Sequence, residues 1–123
     1  MQTNDITGQI VDAAMNVHTA LGPGLLENAY EACLAHELEK RGLEVERQKE
    51  LPIQYDGQTI DAGYRLDLLV DNTVIVELKA VADIAPIHHA QIISYLKLGK
   101  KPVGLLINFN VQRLKDGIKR FAN

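Results

Sequence analysis

Apolar residues recur at helical spacing from the start of the chain. Ile6, Ile10, Ala13, Ala14, Val17 and Leu21, with Thr3, Asn4 or Asp5 placed as caps, predict a helix over about residues 4–20 that Gly22-Pro23-Gly24 stops. A second helix is predicted from about Leu25 to Arg41, with Leu26, Tyr30, Cys33, Leu34 and Leu38 along one side and Gly42 at its end. The period then shortens. Leu43–Tyr55 begins as an alternating strand and is broken by Pro52, which predicts an edge strand or two short pieces. Asp56-Gly57 marks a hairpin turn, Thr59–Val70 the next strand with Gly63 as a bulge, and Val74–Lys79 a short β-branched strand after the Asp71-Asn72 turn. Pro86 opens a third helix over about residues 86–98, ended by Gly99. The near-continuous apolar run Pro102–Asn108 predicts a strand buried on both faces, and the more polar tail Val111–Phe121 is expected to be helical.

A chain of 123 residues with 46% apolar and 24% charged positions suits one domain, residues 1–123, around one hydrophobic core. No segment reads as a leader or a membrane span, so a cytoplasmic protein is expected. The formal net charge of −3 argues against a broad positive field as the means of holding nucleic acid, although a bound divalent cation inverts the charge of a local pocket. Cys33 has no partner for a disulfide and is expected to be a small buried hydrophobe rather than a catalytic thiol.

Charge interrupts two of the apolar strands. Asp67 stands within Tyr64-Arg65-Leu66-Asp67-Leu68-Leu69-Val70, and Glu77 and Lys79 stand within Val74-Ile75-Val76-Glu77-Leu78-Lys79. Burying an unpaired charge is costly, so such positions need a reason. Glu77 and Lys79 are two apart on a strand and project from one face. Two carboxylates converging beside a lysine form a hard-oxygen site suited to a magnesium-type ion. Register decides whether they converge. A two-residue loop would set Asp67 opposite Val76, whereas a three-residue turn over Asp71–Thr73, or a bulge, sets it opposite Glu77, and this odd turn is predicted. The plainer alternative is a structural ion pair on a half-exposed sheet, and from the strand pattern alone the two readings stand level.

Three further patterns bear on that choice. Asp67 followed by Glu77-x-Lys79 across a tight hairpin resembles the signature of the PD-(D/E)XK nuclease superfamily, with Leu66 where the name has proline. Gly24-Leu25-Leu26-Glu27-Asn28-Ala29-Tyr30 is similar to the motif naming the GxxExxY family of that superfamily, and Gln91-Ile92-Ile93-Ser94-Tyr95 resembles the QxxxY element of RecB-like nucleases. The resemblance implies an α/β, restriction-endonuclease-like αβββαβ core, a mixed central sheet flanked by helices, with an additional N-terminal helix. It implies magnesium or manganese held by Asp67, Glu77 and the backbone carbonyl of Leu78, Lys79 as the catalytic lysine, Glu27 reaching the metal directly or through water, and Gln91 and Tyr95 positioning substrate.

The activity so implied is metal-dependent hydrolysis of phosphodiester bonds in DNA or RNA. The alternative is a nuclease-like fold that serves as a non-catalytic binding or regulatory module in a larger assembly; hydrolysis of a small phosphate compound is a third, weaker reading. A homodimer stays open. On the residues alone, Tyr30 reads as core packing, and Glu27 reads equally as a solvated first-turn carboxylate or as a metal contact. Adjacent His88 and His89 point to different helix faces and cannot readily chelate one ion, so His88 is expected to be solvated or capping, and His18 and His36 are assigned no role. Lys97, Lys100, Lys101, Arg113, Lys115, Lys119 and Arg120 concentrate positive charge late in the chain, for phosphate contact or for ordinary solubility; no aromatics interleave them as a stacking platform.

Overall fold

The computed structural model describes residues 1–123. Two helices open the chain, α1 (Thr3–Leu21) and α2 (Glu27–Lys40). They bury the stripes that their periodicity marks: Ile6, Ile10, Ala13, Ala14 and Val17 on α1, and Tyr30, Leu34, Ala35 and Leu38 on α2. The expected face of α2 needs two corrections. Leu26 is its N-cap and 76% exposed, because the helix starts two residues later than the apolar pattern suggests. Cys33 is exposed rather than buried, since the inward stripe runs through Tyr30, Leu34 and Leu38 and turns it outward.

Seven strands follow: β1 (Val45–Glu50), β2 (Ile53–Tyr55), β3 (Gln58–Ile60), β4 (Arg65–Val70), β5 (Val74–Lys79), then β6 (Val103–Asn108) and β7 (Ile118–Ala122), with helix α3 (Pro86–Gly99) between β5 and β6. The main sheet runs β1-β4-β5-β6-β7, and β2-β3 form a separate two-stranded ribbon. Only the β5–β6 pair is parallel, as the crossover through α3 requires. The sequence α2, β1, β4, β5, α3, β6 is the αβββαβ core expected of a restriction-endonuclease-like fold, with α1 added in front.

The sheet is sandwiched. Leu68, Val70, Val74, Val76, Leu78, Val103, Leu105 and Ile107 pack under α1 and α2, whereas Leu66, Leu69 and Ile75 pack with Tyr95 and Leu96 of α3. All six residues of β6 are buried, as a strand covered on both faces must be.

Three elements depart from the pattern. The stretch 59–70 is not one bulged strand; it breaks over residues 61–64, where Gly63 has φ +80 and its N–H binds Asp61 Oδ1 at 2.9 Å. Lys100, one residue beyond Gly99, takes the left-handed cap of α3. The tail is not helical: a short 3₁₀ turn (Leu114–Gly117) leads into β7. β7 pairs antiparallel with β6 from Ile107↔Ile118 to Val103↔Ala122. Pairing satisfies the backbone groups along the otherwise free edge of a buried strand, a demand that outweighs local helical preference.

Candidate active site

The β4–β5 hairpin has the odd turn that convergence requires. Val70↔Val74, Leu69↔Ile75 and Leu68↔Val76 pair, leaving the three-residue turn Asp71–Thr73. Asp71 and Asn72 take φ of 49° and 51°, a conformation their short polar side chains tolerate, and the turn closes through Thr73 N–H to Val70 O at 3.0 Å. The same register carried one step further sets Asp67 opposite Glu77. There the backbone ladder gives way to side chains: Asp67 N–H donates to Glu77 Oε2 at 2.8 Å, and Leu78 N–H donates to Asp67 Oδ2 at 2.9 Å. Each carboxylate binds the other strand's backbone, so the two acids interlock across the seam.

The opening extends to the other neighbour of β4. Leu66 and Leu68, which a regular strand would place on one face, pack into different clusters. Gln48 of β1 stands across from Asp67, between the pairs Arg47↔Leu68 and Lys49↔Leu66, with φ of 51°. Its amide donates to Asp67 Oδ1 at 3.3 Å and to Glu31 Oε1 at 2.6 Å.

Glu77 is 5% exposed and its pKa is pushed up to about 8, first by burial and then by the Asp67 charge; backbone donation from Asp67 and the field of Lys79 pull in the opposite sense. Asp67 is likewise raised, mainly by burial and also by Glu31, against the hydrogen bond from Leu78. Lys79 forms no ion pair with either carboxylate, and none of the ion pairs in the molecule includes Asp67, Glu77 or Lys79. The structural ion-pair alternative therefore finds no support in the geometry.

Glu31 was not singled out by the motifs. It is 7% exposed on the inward face of α2 and is held by the Arg47 guanidinium at 3.1 Å as well as by Gln48. Its signal in the sequence was a carboxylate three, four and seven residues before the buried Leu34, Ala35 and Leu38, a charge inside an apolar stripe. Glu27, one turn earlier, is exposed as the first residue of α2 and bonds none of the other site residues. Tyr30 is fully buried, stacked on Phe109 at 4.5 Å, with its hydroxyl donating to Gly22 O at 2.6 Å and accepting from Leu25 N–H at 3.1 Å. It pins the glycine turn to the helix, the packing role its large apolar body suggests.

On α3, Gln91 Nε2 donates to the Tyr95 hydroxyl at 3.0 Å. Tyr95 packs with Leu66, beside Asp67, and its hydroxyl pKa is raised by burial and by Glu77. His88 Nδ1 accepts from Ala85 N–H at 2.9 Å, which is the capping role.

The donor chemistry fits a hard divalent ion: buried Glu77 and half-buried Asp67, both raised in pKa and without a cationic partner at ion-pair distance, gain from a cation between them. No three His, Cys, Asp or Glu side chains form a ready-made cage. A hard cation of magnesium type does not need one, since it is commonly bound through one or two carboxylates with waters and substrate phosphate. No helix is long and apolar enough to cross a membrane.

A family model described as the PD-(D/E)XK nuclease superfamily matches residues 4–121. No curated protein and no solved structure matches the chain. With the interlocked acids on an αβββαβ core and nearly the whole length matched, the chain belongs to the PD-(D/E)XK nuclease superfamily.

Proposed function

We propose that this protein is a metal-dependent nuclease that hydrolyses phosphodiester bonds of DNA or RNA, with residues 1–123 acting as one domain and magnesium or manganese as cofactor. The observation that carries the reading is the pair of buried Glu77 and half-buried Asp67, interlocked at 2.8 and 2.9 Å with no cation paired to it and Lys79 following on the same strand face. Asp67, Glu77 and the Leu78 carbonyl are assigned as metal ligands, and Glu27 as a contact made directly or through water. The ion would supply Lewis-acid polarisation of a phosphate oxygen and acidification of water.

The chain's own groups do the rest. Lys79, unpaired, is available to orient the attacking water and to offset charge building on the phosphoryl oxygens. Gln91 and Tyr95, already bonded to each other, present an amide and a hydroxyl for positioning substrate. The finer reading assigns the chain to the GxxExxY family within the superfamily on the pattern Gly24, Glu27 and Tyr30, and the Tyr30 hydroxyl that anchors the glycine turn supports it.

The test is cleavage of single- and double-stranded DNA and RNA in manganese. Wild type is expected to cut at least one of them, and Asp67→Ala, Glu77→Ala and Lys79→Ala to lose cleavage by at least about a hundredfold while remaining folded. A wild-type protein that cuts none of the substrates contradicts the proposal, and a fully active Lys79→Ala contradicts the role given to the lysine.

A further inference from the structure

Beside the acidic pair lies a groove of about 390 Å³ walled by Ile53, Tyr64, Ile87, Gln91, Ser94 and Tyr95, among others. Ile53 comes from the β2–β3 ribbon, Tyr64 from the break before β4, and the rest from α3. The inner end meets the site: Tyr95 bonds Gln91 and packs on Leu66, the residue preceding Asp67. Toward solvent the groove is apolar and open, with Tyr64 42% and Ile87 68% exposed. The rings of Tyr64 and Tyr95 stand 6.0 Å apart at 60°, a tilted rather than a stacked pair.

The lining determines what such a groove accepts. It contains no lysine, arginine or histidine, so nothing in it neutralises a phosphate. It does contain aromatic rings (Tyr64 and Tyr95), aliphatic walls, the Gln91 amide and the hydroxyls of Ser94 and the two tyrosines. A nucleobase matches all four, with its π-face on a ring and its polar edge toward Gln91 and Ser94. Continuity with the acidic pair then makes it the base adjoining the phosphate at Asp67 and Glu77.

We propose that an unpaired base next to the scissile phosphate enters this groove and stacks on Tyr64, so that the substrate of the site is single-stranded or frayed nucleic acid. The proposal rests on the nuclease reading. A base in intact duplex must first be unstacked and unpaired to enter, an expense that a single strand does not incur. Tyr64 is thus a specificity residue, outside the motifs that mark the site itself.

The chain has no tryptophan, so Tyr64→Trp gives one fluorescent reporter in the groove. Titrated in calcium with an oligothymidylate, and separately with a duplex of equal length, its emission is expected to be quenched by the single strand and little changed by the duplex. Tyr64→Ala is expected to weaken single-strand binding about tenfold and Tyr64→Phe to retain it, since stacking needs the ring and not the hydroxyl. No quenching, equal quenching by both forms, or unchanged binding by Tyr64→Ala overturns the proposal. The two readings fail separately. Cleavage in manganese without selective quenching removes the base groove and leaves the nuclease, whereas selective quenching without any cleavage removes hydrolysis and leaves the groove.

Discussion

Glu77 shows how much a buried charge reveals. It reads from the sequence as an interruption of an apolar strand, and it is buried there with its pKa pushed up to about 8 by burial and by Asp67. A carboxyl raised in the folded state holds a proton that the unfolded chain releases near pH 4.5, so its contribution to stability is fullest below that pH and is lost as pH rises toward 8. Asp67, also raised, acts in the same sense. Metal-free protein is therefore expected to lose melting temperature between pH 5 and 8 more steeply than Glu77→Gln does, measured by thermal denaturation in a chelator. Parallel curves for the two proteins contradict the burial argument. Protons compete with metal for the same oxygens, so manganese affinity measured by calorimetry is expected to fall as pH is lowered from 8 to 6. Asp67, Glu77 and Lys79 were legible because each breaks a strand pattern. Glu31 left only the trace of a charge in an apolar stripe and Gln48 none, since no local rule announces that a turn of α2 and an irregular residue of β1 meet over Asp67. That meeting is a product of tertiary packing.

At the scale of elements, α1, α2, α3 and the buried β6 were readable because period and stop signals agree, from Gly22 after α1 to Pro86 at the start of α3. β7 was not, because its need to pair with β6 is set by a neighbour fixed elsewhere in the chain. The hairpin lies between these cases: the demand that Asp67 face Glu77 predicted the length of the turn, which is the one found. Two substitutions probe the joints between elements. Tyr30→Phe removes the hydroxyl bonded to Gly22 O and Leu25 N–H and is expected to cost about 1 kcal/mol in urea denaturation. Gly104 lies where β6 meets α3, and an added Cβ would stand 2.9 Å from Ile92 Cδ1. Gly104→Ala is accordingly expected to destabilise by about 1–3 kcal/mol, and a neutral effect would mean that α3 sits more loosely on the sheet.

Across the whole molecule, the proposed action on nucleic acid would require a protein of net charge −3 to concentrate positive charge locally or supply it with an ion. Of the late basic residues, Lys101 donates to Asn72 and Arg120 to Asn4 at the surface, and the acidic pair is where a bound cation is expected to change most. Saturating manganese is expected to raise the melting temperature of wild type on the order of 10 °C and to leave Asp67→Ala unmoved. The most direct measurement is an anomalous difference map from crystals soaked in manganese. The account predicts one strong peak bonded to carboxylate oxygens of both Asp67 and Glu77. Ordered carboxylates with no peak between them, or metal bound only elsewhere, would contradict it.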